Sequence, residues 1–236
     1  MKKTYQAAGL TFTMDSWGRT VRQAAPYEIP PVDRPDFEVI SRWPELKKEF
    51  PWINDDNGEY LATGSDFYTH LLDYEGMMLH SSAVVVDGRA YLFSADSGTG
   101  KSTHTALWLK LFGDRACILN DDKPALRREP EGWFAYGTPW SGKYDLSTNL
   151  RAPIAGIALL ERGENNEIFP FSGLEAVRMF LAQFNRVKTP SGRARQLELL
   201  DRIFRELPVW KLRCNMEDEA AIVSYEAMSG QKFKEN

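Results

Sequence analysis

The chain has 236 residues, 43% of them hydrophobic, 26% charged and 12% aromatic. That composition supports a sizeable core and excludes a disordered or low-complexity chain. The net charge of −4 leaves no global basic footprint for nucleic acid, and no apolar run approaches the roughly 18 residues that cross a bilayer. Cys117 and Cys214 form neither a disulfide framework nor a metal-ligand spacing. Met1-Lys2-Lys3-Thr4-Tyr5-Gln6 lacks the apolar segment of a secretory signal, so a cytoplasmic protein with reduced thiols is expected.

Residues 4–25 read as β-rich, with Leu10 to Met14 alternating apolar and polar. Pro26, Pro30, Pro31 and Pro35 predict a stiff extended connector, and Phe37 to Ile40 a strand. Asn54-Asp55-Asp56-Asn57-Gly58 reads as a polar turn; its spacing does not fit a calcium loop. A short helix is predicted over 65–75 and a strand over 77–86. Asp87-Gly88 then signals a two-residue hairpin turn, with Arg89 to Phe93 returning as the next strand. A helix follows to about Phe112, stopped by Gly113, then a buried strand over 116–119. A hairpin is predicted over 126–136, a loop over 137–151 and a buried strand over 154–160. Apolar spacing predicts helices over 174–184, 197–207 and 217–228, with Val209 to Cys214 alternating like an edge strand.

The chemistry centres on Ala95-Asp96-Ser97-Gly98-Thr99-Gly100-Lys101-Ser102-Thr103, between a predicted strand and a predicted helix. Small residues there let backbone N–H groups curl around phosphate oxygens, and the helix N-terminus adds its positive end. Asp96 to Thr103 are therefore candidate nucleotide-binding residues, with Lys101 reaching the β- and γ-phosphates and Ser102 holding Mg²⁺. Ala95 replaces the first glycine of the usual pattern, so its turn must be one that an L-residue adopts.

Asp121 and Asp122 end the strand after that helix, on the rim where ligands bind in such sheets. A carboxylate there can bind Mg²⁺ or accept a proton from an attacking hydroxyl, and adjacent residues of an extended chain point opposite ways, so the two should differ in role. His80 lies on the hairpin partner of the loop strand and is a candidate for the same rim. In Thr138-Pro139-Trp140-Ser141-Gly142-Lys143, Lys143 suits a cation approaching phosphate. Arg186, Lys188, Arg193 and Arg195 read either as a phosphate-binding patch or as a solvated loop. His70, His104 and the tryptophans read as packing or surface residues.

Leu79-His80-Ser81-Ser82-Ala83, Asp87-Gly88-Arg89, Asp96 to Ser102 and Asn120-Asp121-Asp122 together resemble the catalytic domain of HPr kinase/phosphorylase, well over residues 77–160. Pro208 to Cys214 resembles the tail of short HPr-kinase-like proteins, a group related in fold to phosphoenolpyruvate carboxykinases. Short members include kinases that phosphorylate the C-terminal serine of lasso peptide precursors. The resemblance implies that Lys101 and the loop amides bind ATP, Ser102 and Asp121 bind Mg²⁺, His80 is the active-site histidine and Asp122 is the general base. The family's glycine-rich segment with a metal-binding glutamate has no match; the loop from Trp140 to Lys143 takes its place. The resemblance therefore extends neither to the phosphorylase half-reaction nor to HPr as substrate.

The expectation is one α/β domain over 1–236, with a mixed β-rich sheet, a phosphate loop and C-terminal helices. Its parts are a β-rich 1–76, a nucleotide-binding core 77–165 and a helical 166–236. The expected activity is ATP- and Mg²⁺-dependent phosphorylation of a serine hydroxyl on a peptide, without nucleic acid or membrane. Alternatives are a kinase of a free amino acid or sugar and a nucleotide-binding regulator. The oligomeric state is open, a homo-oligomer included.

Overall fold

The computed structural model describes residues 2–185 and 187–234, so Arg186 of the basic stretch lies outside the described residues. At the N-terminus, β1 (Lys3–Ala7) and β2 (Leu10–Met14) pair antiparallel across Ala8 and Gly9, both at positive φ. β3 (Glu28–Ile29) and β4 (Phe37–Val39) flank them in a small sheet of order β3-β1-β2-β4. Between β2 and β3 the chain forms α1 (Gly18–Ala24), where β structure was expected. Thr20, Gln23 and Ala24 share its buried face at helical spacing.

After α2 (Trp43–Leu46) comes α3 (Asp55–Leu71), which begins inside the predicted polar turn. Asn54 caps it by accepting the Asn57 N–H, and Asp55 and Asp56 suit the positive end of the helix. Gly58 is tolerated within the helix for a packing reason: a Cβ there would lie 2.2 Å from the Trp43 ring. The small sheet covers α3, and Phe12, Phe37, Phe67 and Trp140 stack between them.

The predicted strand over 77–86 is two strands. β5 (Gly76–Met78) pairs with β9 (Ala125–Glu129), whereas β6 (Ser81–Val86) pairs with β7 (Arg89–Ser94), so His80 sits at the break. Asp87 and Gly88 both have positive φ, as a tight two-residue hairpin requires. β7 leads through the loop to α4 (Lys101–Phe112), β8 (Ala116–Asn120), β9 and β10 (Gly132–Tyr136). β11 (Arg151–Arg162) runs longer than predicted because it serves three neighbours: antiparallel β10, and parallel β7 and β13 (Val209–Cys214).

The main sheet runs β5-β9-β10-β11-β7-β6-β8, with β13 beside β11 and β12 (Glu167–Pro170) beside β13. β13 is therefore covered on both sides, not an edge; the polar strand β12 had no clear sequence signal. Alternation sorts the side chains by face. Leu92, Ile157 and Leu159 face α5 (Gly173–Ala182) and α6 (Pro190–Glu206). Tyr91, Phe93 and Leu160 face α4 and α7 (Asp218–Ser229). α6 starts earlier than predicted: Thr189 caps it by accepting the Gly192 N–H and Pro190 occupies the first turn. Arg193 and Arg195 thus lie on a helix, and Arg195 pairs with Glu75 and Glu198, which removes it from a free basic patch.

Candidate active site

β7, β11 and β13 run parallel, and β8 runs the same way because β6 is antiparallel to both β7 and β8. Their C-terminal ends form one rim, joined by the start of β6. The loop after β7 turns at Gly98 (φ 80°) and Gly100 (φ 124°), not at Ala95, which is absent from the positive-φ residues as expected of an alanine there. Gly100 precedes α4, and its carbonyl accepts the His104 N–H at 2.9 Å. The Lys101 side chain folds back into the loop, 7% exposed, donating to the carbonyls of Ala95 (2.9 Å) and Asp96 (3.3 Å). Burial pulls its pKa below the ordinary lysine value, opposed by the charges of Asp122, Asp121 and Asp96. Arg162, from the end of β11, clamps the loop by donating to the carbonyls of Thr99 (3.1 Å) and Gly98 (2.5 Å).

Asn120 sets the turn that carries the aspartates. Its amide oxygen accepts the N–H groups of Asp122 (3.0 Å) and Lys123 (2.7 Å), while its NH₂ donates to Thr138 and Ser147. Asp121 is buried, and its Oδ1 accepts from Ser82 Oγ at 2.6 Å. Ser82 also bonds Thr105 (2.8 Å), one helical turn beyond the exposed Ser102. The structure thus links Asp121 to the helix start that carries Ser102. The donors are a carboxylate and a hydroxyl, hard oxygens that suit Mg²⁺, which takes few protein ligands and fills its octahedron with water and phosphate oxygens. Among the described residues no group of three or more His, Cys, Asp or Glu is placed to hold a metal ion.

Asp122 points the other way. Its Oδ1 lies 3.2 Å from His80 Nε2, and its Oδ2 accepts from Lys123. Burial alone would raise its pKa; the His80 hydrogen bond and the Lys123 charge outweigh that and hold it at about 2. His80 is aimed by Gln183, just past α5. The Gln183 NH₂ donates to Asp96 Oδ1 at 2.8 Å, which turns its amide oxygen toward His80 Nδ1, 3.1 Å away. Gln183, Arg162 and Lys123 were missed from the sequence. Lys123 adjoins the aspartate pair and was within reach of the motif, but Gln183 and Arg162 carry no local signal.

The opposite wall comes from the N-terminal part. Tyr68 donates to the Lys123 carbonyl, and Tyr60 Oη accepts the Gly142 N–H at 2.9 Å. Gly142, at φ 76°, lies against Asp122: a Cβ there would meet Asp122 Cβ at 2.7 Å. Asp122, Lys123, Lys143, Arg19, Tyr60 and Trp52 line a cavity of about 440 Å³. Lys143 thus shares a cavity with Asp122, on the far side of Gly142. A second cavity, of about 420 Å³, adjoins the loop at Gly98 to Gly100 and is walled by Thr103, Leu107, Leu160 and Met216. His104 borders it but is held neutral by burial, its pKa lowered to about 3, and it bonds Ser224 and Trp108; it is a packing residue. Cys117 and Cys214 are free thiols. No helix among the described residues is long and apolar enough to cross a membrane.

No family model and no curated protein matches the chain. Among solved structures it is similar to the Hpr(Ser) kinase/phosphatase from Coxiella burnetii, at 13% identity and a TM-score of 0.36, over 65% of this chain and 95% of that one.

Proposed function

We propose that the protein transfers the γ-phosphoryl group of ATP, with Mg²⁺, to a hydroxyl presented in the cavity at Asp122. The observation that carries this reading is a convergence: Lys101 folded into a strand–loop–helix turn, and the His80–Asp122 pair on the same sheet rim. The loop amides and the N-terminus of α4 would take the phosphates, with Lys101 turning from the loop carbonyls to the β- and γ-oxygens. The cavity walled by Leu107, Leu160 and Met216 suits a nucleoside next to those phosphates.

Asp121 and Ser102 would hold Mg²⁺, which neutralises phosphate charge when bound. Asp122 orients the acceptor hydroxyl. An oxygen–phosphorus bond forms to that hydroxyl as the bond to the β–γ bridging oxygen breaks, and the proton passes to the Asp122 carboxylate. A carboxylate held near 2 is a weak base at rest. A loose transition state nevertheless asks for the proton only late, so positioning carries most of the effect.

A peptide acceptor is favoured by apolar groups at the cavity mouth. Trp52 is 76% exposed, Leu61 is exposed, and Tyr144 next to Lys143 is 66% exposed. The finer reading is a serine hydroxyl at the end of a lasso precursor peptide. The test is mass spectrometry of a serine-ended precursor peptide incubated with the protein, ATP and Mg²⁺, beside Asp122→Asn. One added phosphate, lost in the variant, is the expected result. An unmodified peptide with ATP still bound would overturn the peptide reading, and unchanged transfer by the variant would remove Asp122 from the mechanism.

A further inference from the structure

Arg19 is a half-buried guanidinium beside the candidate base, and it forms no ion pair among the described residues. It lies over the Tyr60 ring at 3.9 Å, bonds the Gly142 carbonyl, and reaches Asn57 Oδ1 at 3.4 Å. All three partners are neutral. Taking a cation partly out of water against neutral groups carries a desolvation cost that an anion normally offsets. The acids at the start of α3, which packs against α1, are engaged elsewhere. Asp56 accepts the backbone N–H of Arg19 and faces Arg22; Asp55 holds Trp43 Nε1 and Lys47. Lys143, in the same lining, also forms no ion pair among the described residues, its ammonium lying 5.5 Å from the Tyr144 ring. Asp122 is the acid of this lining, and Lys123 and His80 already hold it.

Gly142 fixes the spacing. Its carbonyl receives Arg19, and its Cα face packs on Asp122, so guanidinium and carboxylate flank a single residue. A molecule with its hydroxyl on Asp122 and an anionic group on Arg19 would therefore hold the two only a few bonds apart. We infer that the cavity is a carboxylate subsite: the phosphoryl acceptor carries its own carboxylate within a few bonds of the hydroxyl, and Arg19, with Lys143, reads it. This rests on the phosphotransferase reading above, whose chain-terminal serine would carry such a carboxylate, and assigns the residues that read it. A planar fork such as Arg19 matches a carboxylate in two-point contact, which a lysine does not reproduce.

The test compares N-acetyl-L-serine with N-acetyl-L-serinamide, which differ only in the charge beside the hydroxyl. Binding of each is titrated by NMR with Mg·ATP analogue present, in the wild type, Arg19→Gln and Lys143→Gln. The acid should bind about 10- to 100-fold more tightly than the amide, the loss expected for one charged hydrogen bond, and Arg19→Gln should bring that ratio near one. Lys143→Gln, at an exposed position that folding does not need, should lower it several-fold. Equal binding of acid and amide by the wild type, binding of neither, or a ratio unchanged in both variants would overturn the assignment. Tighter binding of glycerol 3-phosphate than of the acid would also overturn it, in favour of a phosphate ester. Affinity for Mg·ATP is measured separately. Its absence alongside an intact acid preference would sink the phosphotransferase reading and leave the anion subsite standing.

Discussion

Gly142→Ala is the sharpest probe of how the fold aims Asp122. The residue sits at φ 76°, a left-handed conformation that costs an L-residue about 1–2 kcal/mol. The added Cβ would lie 2.7 Å from Asp122 Cβ and 3.2 Å from its Cγ, about 1 Å inside the ordinary contact of carbon atoms. Overpacking of that kind costs roughly 1–3 kcal/mol, so the total is about 2–5 kcal/mol, or a thermal midpoint lowered by about 4–20 °C in a chain of this size. The loop has little freedom to yield, because the Gly142 N–H is held by Tyr60 and its carbonyl by Arg19 and Gln23. The aspartate must therefore give way by about 1 Å, a misplacement worth roughly 100-fold in rate. The assay pairs phosphoryl transfer to the serine-ended peptide with nucleotide affinity. Transfer should fall about 100-fold while Mg·ATP affinity stays within about twofold. A variant with a lowered midpoint but a transfer rate within about threefold of wild type would refute the claim that Gly142 positions Asp122.

Glu59 is buried on α3, and burial raises its carboxyl pKa to about 7, against hydrogen bonds from Thr20 and the Trp17 backbone. A raised acid keeps its proton on folding, so the Glu59 contribution to stability is most favourable below about pH 4.5 and declines as pH rises to 7; Glu59→Gln should be near neutral at pH 4.5 and stabilise by about 2–3 kcal/mol at pH 8, read by urea denaturation at the two pH values. Asp122 runs the other way: its contribution is present above about pH 4 and lost as pH falls toward 2. Asp122→Asn should therefore flatten about 2 kcal/mol of acid dependence in that window, and an unchanged acid limb would count against the His80 and Lys123 contacts. Lys101→Met replaces a buried ammonium with an apolar chain of similar length, so the nucleotide-free midpoint should hold or rise. Saturating Mg·ATP, which at 100 times its Kd adds about 2.7 kcal/mol to the wild type, should not shift the variant; an equal shift would remove Lys101 from the phosphate site.

The two halves of the candidate site were unequally legible for a physical reason. A phosphate site made of successive backbone amides in one loop has a local signature, and the chain carries one: a strand alternating Tyr91 and Phe93 against Leu92, small residues from Ala95 to Gly100, then Lys101. Positive φ at Asp87 and Gly88, and at Gly98 and Gly100, follows from chemistry visible in the chain. The aspartates were legible because a sheet brings strand ends together, although the Asn120 bonds that shape their turn were not. The acceptor side has no such continuity. Arg19 comes from α1, Tyr60 from α3 and Gly142 from the long loop, and they meet only once Trp140 packs between Phe12 and Phe67. The same cause misled the reading of α3. Asn54 to Gly58 has the composition of a turn, and only the Trp43 ring against Gly58 reveals why a glycine stands in the second turn of a helix. A side chain's role across segments depends on packing that no local pattern encodes. The proposed acceptor side, Lys143 apart, therefore rests on the less legible part of the sequence, because Arg19, Tyr60 and Gly142 meet only through packing, while the proposed phosphate loop rests on the more legible part, one continuous segment.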